Sequence, residues 1–280
     1  MNTLLRFPDG RDRALTLSYD DGVNSDIPLM EILDAHGIRA TFNINTALFA
    51  PEGMPMPDSV NTTETRRLSK NEAVAAYKDT PHEVAVHALT HPFLQEMPAS
   101  LVTYEVMEDR KNIEAMFGTV CRGMAYPYGT FNDTVVKCLE DAGIVYSRTT
   151  VSTGRFDVPR DWLRMPATCH HNDPRLMELC DQFLADTPGR PARLFYLWGH
   201  SYEFARNQNW HVIRDFAKKM GGNDKIWYAT NMEIYDYVTA FRRLEYSADG
   251  RRVHNPTALD LWLSTGGDAV CIPAGATVEI

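Results

Sequence analysis

Hydrophobic and polar positions along this chain follow two periods that take turns. Residues 14–18 (ALTLS) alternate and predict a strand. Residues 25–36 carry apolar positions at helical spacing between Ser25, a capping residue type, and Gly37, a stop. Residues 39–44 return to the strand pattern. From 48 to 68 neither period holds; the stretch is rich in Pro and Thr and predicts a long loop of the kind that shapes binding sites. Ser69 and Glu72 have capping-box spacing for a helix through Tyr77. The alternation then repeats, with strands expected over 83–87, 120–125, 144–149, 193–198 and 226–229. Helices are expected over 100–117, 132–142, 176–184, 212–220 and 232–244.

Some seven β/α units in one continuous register predict parallel strands with helical crossovers. The expected fold is α/β, a barrel closed by seven strands over residues 1–244; periodicity leaves a doubly wound open sheet as the alternative. Beyond Leu244 short alternating runs lie between turns at Ala248-Asp249-Gly250, Gly266-Gly267 and Pro273-Ala274-Gly275. Residues 245–280 therefore predict a small antiparallel β appendage packed on the barrel.

Composition narrows the picture. The 280 residues are 44% hydrophobic and 23% charged, as in an ordinary globular protein, and the net charge of -9 disfavours a phosphate backbone, so nucleic acid is not an expected partner. No window approaches the roughly 20 apolar residues of a membrane span. The first residues, MNTLLRFPDGRDR, lack the basic start and the apolar stretch of roughly 7–15 residues of a secretory leader. Five scattered cysteines without a CxxC pair read as reduced thiols. These features make a cytoplasmic chain the expectation, or a secreted one if a leader has been trimmed. The oligomeric state is not encoded in any pattern recognised here.

Four groups of chemically unusual residues fall at the carboxyl ends of predicted strands, where β/α barrels build their sites. Asp20-Asp21-Gly22 places two carboxylates side by side; a cation would let one act as ligand and leave the other to handle a proton, although an Asp-Asp-Gly turn in solvent is the plainer reading. His87 and His91, four apart, have the spacing for one metal ion, or are one core and one surface histidine. Pro127-Tyr128-Gly129 forms a tight turn able to aim a backbone N–H at an oxyanion, or merely to pack its ring. Trp198-Gly199-His200 ends a buried strand with an imidazole suited to acid–base work near neutral pH, or with a satisfied core histidine.

As an ordered set over roughly residues 12–240, these motifs resemble the polysaccharide deacetylase (NodB-homology) family. The family's aspartate pair is similar to Asp20-Asp21, and its H-(S/T)-x-x-H motif to His87–His91, with Ala88 replacing Ser or Thr. Its Pro-Tyr-Gly turn is similar to 127–129, and its late Leu-x-His to Leu197–His200, with one extra residue. The resemblance implies a distorted (β/α)7 barrel and one divalent ion, zinc first, on Asp21, His87 and His91. It makes Asp20 the general base, His200 the general acid and the Tyr128 N–H an oxyanion donor. The arginine that this family sets ahead of its tyrosine to hold the base is Ala125 here. Arg122 is out of register, and Arg164, in Asp161-Trp162-Leu163-Arg164, is expected to take the role. Asp161-Trp162 loosely matches the family's Asp-Trp motif; His170 and His171 line the pocket or sit on a loop.

The expected substrate is an acetylated carbohydrate, N- or O-acetyl, with a small sugar favoured over an exported polymer. Two other readings stay open: a hydrolase opening a cyclic amide on the same fold, and a carbohydrate-binding relative without catalysis, suggested by Tyr126, Trp162, Trp198 and Tyr202. His and Asp ligands serve cobalt, nickel and manganese as well as zinc.

Overall fold

The computed structural model describes residues 3–186 and 189–280. In chain order the strands of the main body are β1 (Leu4–Arg6), β2 (Arg13–Asp20), β3 (Ala40–Ile44), β4 (Glu83–Val86), β5 (Gly123–Ala125), β6 (Tyr146–Ser152), β7 (Met165–Ala167), β8 (Cys169–His170), β9 (Arg193–Gly199) and β10 (Ile226–Tyr228). Its helices are α1 (Asp26–Asp34), α2 (Lys70–Tyr77), α3 (Ala99–Phe117), α4 (Asp133–Asp141), α5 (Leu176–Leu184), α6 (Ser201–Arg206), α7 (His211–Met220) and α8 (Asn231–Phe241). Among the described residues no helix is long and apolar enough to cross a membrane, and all five cysteines are free.

The parallel strands run in the order β7-β6-β5-β4-β3-β2-β9-β8. Both edges of this sheet are the same short stretch of chain. Met165 and Ala167 pair with β6, Cys169 and His170 pair with β9, and between them the Thr168 N–H donates to the Tyr196 carbonyl at 2.8 Å. Residues 165–170 thus act as one broken strand that joins the two ends into a distorted seven-stranded barrel. The count of seven stands, but the seventh member of the ring is 165–170 and not 226–229. Strand β10 pairs only with the first residues of β2, from Arg13 to Leu15. The ring-closing segment escapes a pattern reading because it is short and carries Pro166, which argues against a strand.

Strand β2 is buried along its whole length. Its two faces differ: Leu15, Leu17 and Tyr19 pack with Leu29, Leu33 and Phe42 in the layer under the helices, while Ala14 packs with Tyr146, Tyr196 and Ile234 inside. By strand periodicity Thr16, Ser18 and Asp20 share the inner face with Ala14. They form a polar file there, Thr16 donating to Asn231 and Asn43 donating to both Ser18 and Asp20.

Helix α1 is not capped by the Ser25 side chain. Its first residue, Asp26, is buried and accepts from Val23 N–H, from the Tyr77 hydroxyl of α2 and from the Ser201 hydroxyl of α6. Burial pushes this carboxyl up to about 7 against those donors.

The last residues form antiparallel strands β11 (Glu245–Tyr246), β12 (Arg252–His254), β13 (Leu261–Ser264), β14 (Ala269–Ile272) and β15 (Thr277–Glu279). One sheet is β11-β12-β15; the other, β1-β13-β14, takes in Leu4–Arg6. Tyr237 of α8 ties the β1-β13-β14 sheet to the main body, its hydroxyl donating to Arg6 O of β1 and accepting from Trp262 N–H of β13.

Candidate active site

Asp20 ends β2 on the inner face and is almost fully buried. Its Oδ1 accepts from Asn43 Nδ2 at 2.8 Å, and its Oδ2 meets Arg148 Nη2 in a buried ion pair. Burial, the largest single influence, would raise this carboxyl; the charge and hydrogen bond of Arg148, together with the charges of His87 and His200, outweigh it and hold it down at about 2. The Arg148 guanidinium also lies over the Trp198 ring, 4.5 Å from its centre.

The neighbouring Asp21 turns away from the strand with φ 90, an uncommon conformation for a residue with a side chain. Donor atoms of Asp21, His87 and His91 lie within 4.8 Å of one another. The His87 Nδ1 is 2.8 Å from the Ala125 carbonyl, which fixes it as the protonated nitrogen and leaves Nε2 with a free lone pair. Burial lowers the His87 pKa to about 4 against the attraction of Asp20 and Asp21, so the ring is neutral at physiological pH, as a ligand must be. His91 Nε2 lies 3.8 Å from Asp21 Oδ1. Two neutral imidazoles and a carboxylate, one ring oriented by a carbonyl behind it, fit a divalent ion of the zinc type. Asp109 supports the turn from below, accepting from Thr46 N–H at 2.8 Å, from the Thr46 hydroxyl and from His87 N–H.

His200 follows β9, its Nε2 3.9 Å from Asp20 Oδ2 and its Nδ1 3.2 Å from Glu203 Oε1. Burial would lower its pKa, but the bond to Glu203 and the charges of Asp20 and Asp21 prevail and raise it. Glu203 also faces His171 Nε2 at 2.9 Å, His170 Nε2 at 3.3 Å and the Asn172 amide at 2.8 Å. Burial would raise this carboxyl, but the contacts of His171 and His200 and the charges of His170 and His171 together prevail and depress it strongly. His170, His200 and Glu203 also have the closeness of a ligand set. However, His170 Nδ1 accepts from Asn172 N–H at 3.1 Å, which leaves the ring proton on Nε2, 3.3 Å from Glu203 Oε2. The cluster is a hydrogen-bonded hub.

Tyr128 sits at φ 58 in its turn, its ring stacked on Phe93 at 3.9 Å between centres and edge-on to His91 at 4.5 Å. Gly129 follows at φ 70, and a Cβ there would lie 2.2 Å from the Thr150 hydroxyl.

The structure brings Asp20, Asp21, His87, His91, His200 and Tyr128 to one mouth of the barrel. It does not bring Arg164. That side chain pairs with Asp133 at 2.7 Å and Asp161 at 3.0 Å and lines a separate cavity of about 790 Å³, with Arg155, Phe241 and Arg242. None of the six mouth residues lines that cavity. The arginine on Asp20 is Arg148; Arg122 pairs with Asp236 instead. Arg148 was legible in principle: Tyr146 and Arg148 stand two apart in a strand that enters the barrel, so an inward tyrosine predicts an inward arginine. Glu203 also carried a signal, one helical turn after His200.

The polysaccharide deacetylase family model matches residues 8–147. A chitooligosaccharide deacetylase from Bradyrhizobium sp. (strain ANU 289) is 28% identical over 155 residues, which is 54% of this chain and 60% of that protein. The chain thus matches about three-fifths of the length of that relative. Among solved structures, a candidate polysaccharide deacetylase from Mycobacterium smegmatis superposes with a TM-score of 0.59 at 16% identity, covering 85% of this chain and 94% of that one. That likeness is one of fold. BA3943 of Bacillus anthracis, a pseudoenzyme of carbohydrate esterase family 4, gives 0.48 at 18% identity over 79% of this chain and 64% of its own.

Proposed function

We propose that this chain, which belongs to the polysaccharide deacetylase family, is a metal-dependent hydrolase that removes acetyl groups from an acetylated carbohydrate. The observation that carries the reading is the position of one oxygen. Asp20 Oδ2 lies 3.8 Å from His87 Nε2 and 3.9 Å from His200 Nε2, between an imidazole free to ligate and one whose pKa is raised.

Asp21, His87 and His91 would hold the ion, zinc being the first candidate for this donor set. When bound, it supplies Lewis acidity, polarising the acetyl carbonyl and making nearby water more acidic. The chain's own groups do the rest. Asp20, ionised at neutral pH, takes the proton of the attacking water, and Asn43 and Arg148 keep its carboxylate in one orientation. The Tyr128 N–H donates to the developing oxyanion. His200, whose pKa is raised by its bond to Glu203, delivers a proton to the departing amine nitrogen, or to the departing oxygen of an O-acetyl sugar.

Acetate release from N-acetylglucosamine oligomers by the purified protein tests this, with metal content measured alongside. Release that disappears in Asp20→Asn supports the reading. A folded, metal-loaded protein that releases no acetate from any N- or O-acetylated sugar overturns the deacetylase and leaves the cyclic-amide hydrolase or the carbohydrate-binding relative.

A further inference from the structure

The ion site has a second tier that comes from the long loop before α2. Residues 66–68 lie antiparallel to 22–24: Asn24 N–H donates to Arg66 O at 3.0 Å, Leu68 N–H to Gly22 O at 2.9 Å, and Arg67 bridges Val23. This pairing delivers the Arg67 side chain, three-quarters buried, to Asp21. One guanidinium nitrogen donates to the Asp21 backbone carbonyl and, at 2.8 Å, to Asn45 Oδ1; the other donates to Asp21 Oδ1 at 2.8 Å. Asn45 faces the opposite way with its amide, donating to the carbonyls of His87 at 2.5 Å and Ala88 at 2.7 Å. A continuous bridge of hydrogen bonds therefore links the segment that offers the carboxylate to the segment that offers the imidazoles. Three residues along these segments, Asp21, Ala88 and His91, hold φ values of 90, 61 and 58, which side-chain-bearing residues keep only when their surroundings impose them.

We propose that Arg67 and Asn45 form a clamp that sets the spacing between the Asp21 carboxylate and the His87–His91 turn, and thereby the affinity of the ion site. The inference rests on the metal-dependent reading above. Arg67 is a positioning residue: it touches a ligand and its backbone, not the reacting atoms. Its charge opposes the ion, but its bond falls on Asp21 Oδ1, the oxygen that faces His91 Nε2 at 3.8 Å, and so fixes where that oxygen lies. Outer partners of this kind carry about 10–100-fold in metal affinity.

The test is a zinc titration of the metal-free full chain against a chromophoric chelator, for wild type, Arg67→Ala and Arg67→Lys. Wild type should bind one ion, Arg67→Ala about 10–100-fold more weakly, and Arg67→Lys in between, since one ammonium cannot serve both Asp21 and Asn45 in the same geometry. The rise in melting temperature on adding zinc should shrink in the same order. Equal affinity in wild type and Arg67→Ala overturns the clamp and leaves the ion site standing. Where Arg67→Ala does not purify folded, Arg67→Lys decides alone, and wild-type affinity there overturns the clamp. A wild type that takes up no ion overturns the metal-dependent reading, and the clamp with it.

Discussion

Arg148 and Asp20, 128 residues apart in sequence, form a buried ion pair inside the barrel, and that pair defines the state of the proposed base. Removing one partner of such a pair leaves an uncompensated buried charge. Arg148→Ala should cost about 3–5 kcal/mol in stability and raise the Asp20 pKa from about 2. A base works only when deprotonated, so activity is lost as pH falls through its pKa; the acidic limb of kcat/KM should move to higher pH in the variant. The stability supplied by the pair is present above 3.8, the ordinary value, and fades as pH falls toward 2. Arg164→Ala, which breaks outlying pairs, should cost less than about 1 kcal/mol and leave the pH profile alone. Urea melts and pH–rate curves of the two variants separate these outcomes, and a reversed ranking would return Arg164 to the site.

Chelation should abolish turnover. After dialysis against a strong chelator the protein should release no acetate, and about one equivalent of a divalent ion should restore release. His87→Ala and His91→Ala should not recover. Metal per chain, by elemental analysis, and acetate release are read together. Full activity in metal-free protein would remove the ion from the reaction.

The hub at Glu203 predicts a pH effect of known sign. His200 must be protonated to act as acid, so activity falls as pH rises through its raised pKa. Glu203→Gln removes the charge and leaves only a weaker, neutral amide acceptor, and the basic limb should move to lower pH. His200→Ala should lose about 10²–10⁴-fold in kcat. An unmoved basic limb in Glu203→Gln would make the hub a packing feature only.

Gly129→Ala meets two obstacles at once, φ 70 and a Cβ 2.2 Å from Thr150 Oγ1. The substitution should cost about 1–3 kcal/mol and lower kcat more than it raises KM, because the turn that aims the Tyr128 N–H must shift. Thermal melting and steady-state kinetics check both parts. Unchanged kcat would detach that amide from the chemistry.

Much of the barrel could be read from the sequence because its strands are buried and its helices amphipathic. The alternation over residues 14–18 predicted a strand, and the Ser69–Glu72 spacing predicted a capping box; the structure contains both. The ring-closing stretch 165–170 was illegible because it is short, split at Thr168 and contains proline. Of the site, the residues at strand ends were found because their types are rare there. Arg148, Arg67, Asn45 and Glu203 were not, since each acts through a partner far away in sequence or by a bond that only the fold creates. Arg164 was chosen by motif proximity, and the fold places it against Asp133 and Asp161.

Residues 165–170 matter beyond closing a circle. Along this stretch the chain touches β6 through Met165 and Ala167, then β9 through Cys169 and His170, whereas β2 and β9 run together from Arg13 to Tyr19. Strand β6 carries the guanidinium that steadies the base, and β9 leads into the imidazole of the acid. The arginine that steadies the base and the imidazole of the acid therefore stand on opposite sides of one short spacer. Its width works like the gap setting of a caliper, and substitutions at Pro166 or Thr168 would retune the jaws without altering either tip.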